Sequence, residues 1–216
     1  MSRGIILVII FVIIVDINSI IIQTLYQKTF SVNAVTNDVE FKELLDNNRT
    51  IVQNTVKQQV PLTSFVSDPS DKTNEVFESF YEKVKSPAIF RMKVWDTNYR
   101  VIWSNLKELI GSKFQTNDEV KEALEGNVGV EITLNGQGES EIRESITENL
   151  FNNYTEIYIP IKSDSGKIVG VVEIYQSIES ILSRLQMEFY KTAIITVGIS
   201  LVVLAASYFT VKKFIK

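Results

Sequence analysis

The chain has 216 residues, of which 45% are hydrophobic, and its formal net charge at pH 7 is −4. This length suffices for one hydrophobic core but not for several domains. Histidine and cysteine are both absent, which excludes disulfides, the usual zinc sites, Ser-His-Asp triads and Cys-His nucleophiles. We therefore expect a protein without enzymatic activity, metal or cofactor.

Two long apolar segments, one near each end of the chain, have the composition of membrane-spanning helices. The first runs without interruption over residues 5–15 and resumes at 20–22, and the second, residues 192–209, contains no charged residue. Each approaches the roughly 18 to 20 residues that a helix needs to cross a bilayer. Arg3 precedes the first segment and three lysines follow the second, so the positive-inside rule places both termini in the cytoplasm.

This orientation predicts a two-pass protein of the cell membrane, with five parts: a cytoplasmic N-terminus at 1–4, a first transmembrane helix at 5–22, an extracytoplasmic domain at 23–190, a second transmembrane helix at 192–209 and a cytoplasmic tail at 210–216. The central domain contains 25 acidic and 17 basic residues, a net charge of about −8. A domain of this sign argues against nucleic acid as a partner.

A cleaved signal peptide is the alternative interpretation of the first segment, but the residues from Asp16 to Ile20 offer no A-x-A-like cleavage site. Asp16 is itself unusual, since a carboxyl group inside a membrane helix is costly unless it finds a partner. It marks either a contact between helices that also involves Asn18 and Ser19, or the point where the helix leaves the lipid.

Two helices are predicted before the first strand. Over residues 23–60 the apolar positions recur at intervals of three, four, six and seven, which predicts one long amphipathic helix that ends before Pro61. Such a helix can lie across a sheet, pair with a second copy, or do both. Residues 73–85 carry apolar side chains on one face and predict a second helix.

Five strands are predicted after Pro87, at residues 89–95, 99 or 100 to 104, 128–134, 155–161 and 167–176. Asp96 and Asn98 supply the turn chemistry of a hairpin between the first two strands. Short helices are predicted at 106–110 and 118–124, and a last helix at 177–190 leads directly into the second membrane span. This order predicts an α+β domain with a five-stranded, mainly antiparallel sheet flanked by helices.

The residues that carry a resemblance to a known family occur in the same order: FRMKVWDTNYRVIWSN (90–105), LIGSKF (109–114), VKEALEG (120–126), ENLF (148–151), TEIYIPI (155–161) and IVGVVEIYQ (168–176). Residues 24–186 thereby resemble the single Cache (PAS-like) extracytoplasmic sensor domains of membrane receptors such as sensor histidine kinases and chemoreceptors. The resemblance implies a PAS-like sheet with a long N-terminal helix on one face and a small-molecule pocket on the other, in receptors that signal as homodimers. One departure is Tyr99, where such hairpins often carry glycine, although Asn98 can itself adopt positive φ.

Family members usually continue past the second span into a kinase, cyclase or chemotaxis signalling domain. Here only about seven residues follow Phe209. We therefore expect either an output domain outside this sequence or a separate cytoplasmic signalling partner.

Alternation along three strands predicts a mixed face of charged and aromatic side chains. Its members are Arg91, Lys93 and Trp95, then Glu156, Tyr158 and Pro160, then Glu173 and Tyr175. The opposite faces are apolar and are expected to pack on a helix: Phe90, Met92 and Val94, then Ile157, Ile159 and Ile161, then Val172 and Ile174. The predicted ligand-binding residues are Arg91, Lys93, Trp95, Trp103, Glu156, Tyr158, Glu173 and Tyr175, a set suited to a small polar or charged ligand.

Alternative interpretations of these residues remain open. Cross-strand pairs of the type Arg91–Glu173 and Lys93–Glu156 are also ordinary structural contacts, and Trp103 can be a core residue. The acidic segment 139–148 is either a solvated loop or short helix, or it neighbours a lid formed by Phe151 and Tyr154.

Three functions are compatible with the sequence. A receptor module would bind a ligand in the outer domain and transmit a shift of the last strand through the second transmembrane helix. A membrane-anchored interaction or assembly subunit would use the long helix to bind protein and would have no small-molecule ligand. An extracytoplasmic hydrolase would need a Ser–Lys or paired-carboxylate site, for which the spacing gives no indication.

Overall fold

The computed structural model describes residues 3–66, 70–114, 117–135 and 152–214. The described helices are α1 (Arg3–Thr29), α2 (Val32–Asn37), α3 (Val39–Gln59), α4 (Asp71–Val84), α5 (Asp118–Leu124) and α6 (Glu179–Phe214). The described strands are β1 (Ile89–Trp95), β2 (Val101–Ser104), β3 (Gly129–Thr133), β4 (Tyr154–Lys162) and β5 (Ile168–Ser177). Short 3-10 turns occupy Leu62–Phe65 and Lys107–Leu109.

The five described strands form one sheet in the order β2-β1-β5-β4-β3, and each neighbouring pair is antiparallel. The predicted α+β fold, with a five-stranded antiparallel sheet and apolar helices at both ends of the chain, is confirmed for the described residues. Because β5 inserts between β1 and β4, the last strand of the domain lies at the centre of the sheet.

The predicted single helix over residues 23–60 is wrong in one respect, because it is broken into the end of α1, then α2, then α3. Ser31 is extended and caps α2, its hydroxyl accepting a hydrogen bond from the backbone N–H of Ala34 at 3.2 Å. Asp38 is extended as well and separates α2 from α3. Short polar side chains compete with helical hydrogen bonds in this way, and hydrophobic spacing alone does not reveal it.

The apolar sheet face packs against α3 and α4, as predicted. Its buried side chains are Met92, Val94, Ile157, Ile159, Ile161, Val172 and Ile174. They meet Val52 and Val56 of α3 and Phe77 and Phe80 of α4. Gly170 of β5 also faces this core, where an added Cβ would lie 2.5 Å from the Trp95 carbonyl oxygen.

Phe90 does not belong to that apolar face, which corrects the sequence-based assignment. Its ring contacts those of Tyr154 and Tyr175, at centroid separations of 5.6 and 5.9 Å. The register of the β1–β5 ladder shifts between Ile89 and Arg91, and such an irregularity interrupts strict alternation.

The β1–β2 turn places its positive φ at Tyr99, with φ 60°, rather than at Asn98. The Asp96 carboxylate accepts hydrogen bonds from the backbone N–H groups of Asn98 at 2.7 Å and Arg100 at 3.1 Å. The departure from glycine noted in the sequence thus falls on the residue that adopts the left-handed conformation.

The chain divides into two compact units, residues 39–179 and residues 1–38 with 180–216. The second unit contains two helices long and apolar enough to cross a membrane, Ile5–Thr29 and Glu179–Lys213. Within it, the Ser200 hydroxyl donates to the Asn18 amide oxygen at 2.7 Å. Asn18 therefore joins α1 to α6, whereas Asp16 and Ser19 make no such contact within the described residues.

Candidate functional site

Seven of the eight predicted ligand-binding residues lie together on the mixed face. They are Arg91, Lys93 and Trp95 of β1, Glu173 and Tyr175 of β5, and Glu156 and Tyr158 of β4. Strand register pairs Lys93 with Glu173 and Glu173 with Tyr158, so the charged groups form a row across the sheet. All seven side chains are buried, with Glu173 fully inaccessible and Lys93 5% exposed.

Lys93 and Glu173 form the central ion pair of the mixed face. The Lys93 Nζ donates to Glu173 Oε1 at 2.9 Å and to the Tyr175 hydroxyl at 2.6 Å. The Trp95 indole N–H donates to Glu173 Oε2 at 2.7 Å. Both Glu173 oxygens are therefore hydrogen-bonded, which a buried carboxylate requires.

Aromatic rings surround the cations of the mixed face. The Lys93 Nζ lies 4.7 Å from the Tyr175 ring centroid and 5.6 Å from the Trp95 ring centroid. The Arg91 guanidinium lies 5.3 Å from the Tyr175 ring. Tyr175 thus makes a cation–π contact with each of the two cations.

Glu156 lies beside this cluster, and only one of its two carboxyl oxygens has a hydrogen-bond partner among the described residues. Its Oε2 accepts a hydrogen bond from the Tyr158 hydroxyl at 2.8 Å, and Asn117 donates to that hydroxyl at 3.3 Å. The other oxygen, Oε1, is buried and has no hydrogen-bond partner among the residues that the structure describes. Oε1 is therefore a polar atom available to a small molecule that enters the site.

Asn117 is a member of this site that the sequence analysis missed. Its side-chain oxygen caps α5 by accepting from the backbone N–H of Val120 at 2.7 Å, while its amide nitrogen reaches Tyr158. An Asn before a predicted helix signals a cap, but the sequence gives no sign that the same side chain also contacts the sheet.

Burial and the neighbouring charges change the protonation of Glu156. Burial, with the nearby charge of Glu173 as the next cause, raises the pKa of Glu156 to about 8, although Lys93 acts in the opposite direction. The Glu156 carboxyl is therefore mostly protonated at neutral pH. Burial and the charge of Glu173 also raise the pKa values of Tyr158 and Tyr175 well above their ordinary value, which keeps both hydroxyls neutral.

The observed ion pair differs from both cross-strand pairs considered in the sequence. Those interpretations joined Arg91 to Glu173 and Lys93 to Glu156, whereas the register brings Lys93 to Glu173. The pair is also buried rather than exposed. Its partners therefore interact in a low-dielectric setting, where removal of either one leaves an uncompensated charge.

The remaining predicted residue, Trp103, is not brought to the mixed face. It packs with the helix-facing core, its ring 6.4 Å from that of Phe77 and 5.8 Å from that of Tyr81. Tyr154, considered as part of a lid, is instead the first residue of β4 and is buried. The acidic segment 139–148 and Phe151 lie outside the described residues.

Helix α5 covers part of the mixed face. Val120 and Ala123 pack with Trp95, Tyr158 and Val171 in a second apolar cluster. This packing excludes water from one side of the charged row. Among the described residues, no group of three or more carboxylates is placed to hold a metal ion.

No family model matches this sequence, and no curated protein matches it either. Among solved structures, the chain is similar to the E. coli DcuS sensor domain, with 19% identity, a TM-score of 0.45, and 66% of this chain and 95% of that chain covered. It is also similar to the A. aeolicus nlh2 GAF domain in an inactive state, with 17% identity and a TM-score of 0.38; the match covers 78% of this chain and 99% of that chain. A third similar structure is an extracellular ligand binding receptor from Desulfohalobium retbaense, with 10% identity and a TM-score of 0.38. This match covers 68% of this chain and 27% of that chain.

Proposed function

We propose that this chain is a membrane-bound sensor module. Its domain lies outside the cytoplasm, binds a small polar or charged ligand at the mixed face, and passes a conformational signal through α6, the second membrane-spanning helix. The chain acts as a homodimer and signals to a cytoplasmic partner or an output domain.

The unsatisfied Oε1 atom of Glu156 is the observation that carries the proposal. A buried polar atom without a partner costs roughly 1 to 3 kcal/mol, and a ligand that supplies the missing hydrogen bond recovers this free energy on binding. The surrounding groups offer charges of both signs and both donors and acceptors of hydrogen bonds: they are a lysine, an arginine, a second carboxylate and two phenols. This composition suits a ligand with several polar groups.

The position of β5 supports a route for the signal. Glu173 and Tyr175 belong to β5, which ends at Ser177, and α6 begins two residues later at Glu179. The α6 helix then continues without interruption to Phe214. A ligand that displaces β5 would thereby act directly on the start of the helix that enters the membrane.

Ligand-induced stabilisation of the purified full chain in detergent micelles tests the proposal. Both tryptophans lie in the domain of residues 39–179, so their fluorescence reports its thermal unfolding. In a panel of small carboxylic acids, amines and amino acids, we expect one class to raise the Tm. A ligand at one hundred times its Kd adds about 2.7 kcal/mol to the free energy of unfolding.

Two matched variants locate the response. Glu156→Leu removes Oε1 and is expected to abolish the ligand-induced rise in Tm, whereas Trp103→Leu, on the opposite sheet face, is expected to retain it. If no member of the panel raises the Tm and another protein co-purifies tightly, the assembly-subunit function is correct instead. A ligand response that persists in Glu156→Leu would place the binding site elsewhere.

A second measurement tests transmission through α6. In liposomes, disulfide formation between copies of a Val211→Cys variant is expected to change in rate when the ligand is added. An unchanged rate, with ligand binding intact, would separate binding from signalling and reject the second half of the proposal.

A further inference from the structure

Helix α1 carries two polar faces, and only one of them is used within the described part of the chain. Asn18 lies on the face that meets α6, where it accepts a hydrogen bond from Ser200. Asp16, Ser19 and Gln23 are all exposed. At about 100° per residue they fall within roughly 60° of one another and far from Asn18.

The pattern of exposure along α1 agrees with this division. From Leu7 onward its half-buried positions recur every three or four residues, at Leu7, Ile10, Ile14, Asn18, Ile22, Leu25 and Thr29. The face with Asp16 lies opposite to that row. No hydrogen bond or ion pair joins the side chains of Asp16, Ser19 or Gln23 to any residue in the described part of the chain.

The exposed face also has the spacing of a helix–helix interface. Ile5, Ile9, Val12, Asp16, Ser19 and Gln23 follow one another at intervals of four, three, four, three and four. The three apolar members are 50%, 42% and 49% exposed. A heptad spacing of this kind keeps one seam of a helix against a parallel partner.

We infer that this seam, centred on Asp16, is the contact between the α1 helices of two copies of the chain within the membrane. The inference rests on the proposed membrane location and adds to it the residues that join the copies. In hydrocarbon, a carboxyl group without a partner is costly, and interhelical hydrogen bonds hold helices together.

The polar side chains of the seam lie close together in a pair of copies. In a parallel pair, equivalent residues lie at the same depth, so the two Asp16 carboxyl groups face one another, and the Ser19 hydroxyl of each copy lies one layer away as a hydrogen-bond donor to them. Gln23 adds an amide one layer further along. A basic helix of another protein would match Asp16 alone, whereas a second copy matches all three polar residues.

Cysteine cross-linking tests the seam directly, because the chain contains no native cysteine. Single variants of the purified full chain are reconstituted in liposomes and oxidised. We expect Val12→Cys and Ser19→Cys to form disulfide-linked dimers several-fold more readily than Ile14→Cys and Ile22→Cys, which lie on the α6 side. Equal yields at the four positions, or the reverse order, would overturn the inference, as would the absence of dimers.

Substitutions at Asp16 distinguish a polar contact from a merely apolar seam. In the Val12→Cys background, which keeps the Ser19 hydroxyl, Asp16→Leu is expected to weaken association about tenfold, while Asp16→Asn, which keeps hydrogen-bonding groups, retains it. Unchanged association in Asp16→Leu would refute the role of the carboxyl group. If the purified chain cross-links only after a basic transmembrane peptide is added, the partner of the seam is a basic helix of another protein and not a second copy of this chain.

Failure of this inference is distinguishable from failure of the proposed function. Carbonate extraction of the same liposomes shows whether the chain is inserted, and ligand-induced stabilisation shows whether the domain binds. An inserted, ligand-responsive chain without preferential cross-linking at Val12 and Ser19 rejects the seam alone. A chain that is extracted by carbonate rejects the membrane location on which both depend.

Discussion

Replacement of Glu156 by glutamine should change how the stability of the domain depends on pH. The folded-state pKa of Glu156, about 8, lies above its ordinary value of 4.5. The folded state therefore binds this proton more tightly than the unfolded state does. The corresponding stability is fully present below about pH 4.5 and is lost as the pH rises through about 8.

The size of this effect follows from the difference between the two pKa values. At 1.36 kcal/mol per pH unit, the shift corresponds to roughly 3 to 5 kcal/mol in the free energy of unfolding. Glutamine has the same shape and remains neutral at every pH. Relative to the natural chain, Glu156→Gln should therefore gain about this much stability between pH 5 and pH 9, or roughly 10 °C in Tm.

Thermal unfolding of the full chain in micelles, followed by tryptophan fluorescence across this pH range, measures the difference. Glu122→Gln provides the control, since it removes a carboxylate from an exposed position of α5. Its pH profile should parallel that of the natural chain. If Glu156→Gln also gives a parallel profile, Glu156 does not titrate with a raised pKa and the electrostatic account of the site is wrong.

Three further predictions concern the sheet. Lys93→Met leaves the Glu173 carboxylate without its cation and should lower the free energy of unfolding by about 3 to 5 kcal/mol. The double variant Lys93→Met/Glu173→Leu should be less destabilised than the single variant. Denaturant titration measures both differences. Gly170→Ala should cost about 1 to 3 kcal/mol or more because the added Cβ meets backbone of the neighbouring strand. Gly166→Ala, in open space but with φ 83°, should cost only about 1 kcal/mol. Trp103→Leu should reduce the Tm while leaving the pH profile unchanged, because Trp103 packs in the other core.

The sequence was sufficient to place the mixed face because alternation is a local property. Arg91, Lys93 and Trp95 necessarily share one side of β1, and the same reasoning holds for the other two strands. The exception is Phe90, where a shift in register near the start of β1 redirects the ring. Bulges of this kind depend on the partner strand, which a periodic pattern does not include.

Which charges pair across the sheet could not be predicted from the sequence. Lys93 and Glu173 are 80 residues apart, and their pairing depends on β5 entering the sheet between β1 and β4. The same applies to Glu156, whose raised pKa depends on burial that α5 and the neighbouring strands create. Sequence spacing identified these residue types, but only the strand order determines which of them becomes the partner and which is left half-satisfied.

Stability alone does not account for the charged groups of the mixed face. The opposite face shows that this sheet packs well with only apolar side chains. Buried ion pairs are often no more stabilising than apolar residues of similar volume, and the unpaired Oε1 of Glu156 is a net cost. A purely structural role would therefore favour replacing Glu156 by an apolar residue. A buried carboxyl with one unpaired oxygen, beside an ion pair whose hydrogen bonds are complete, therefore supports the proposal that a ligand completes the hydrogen bonds of Glu156.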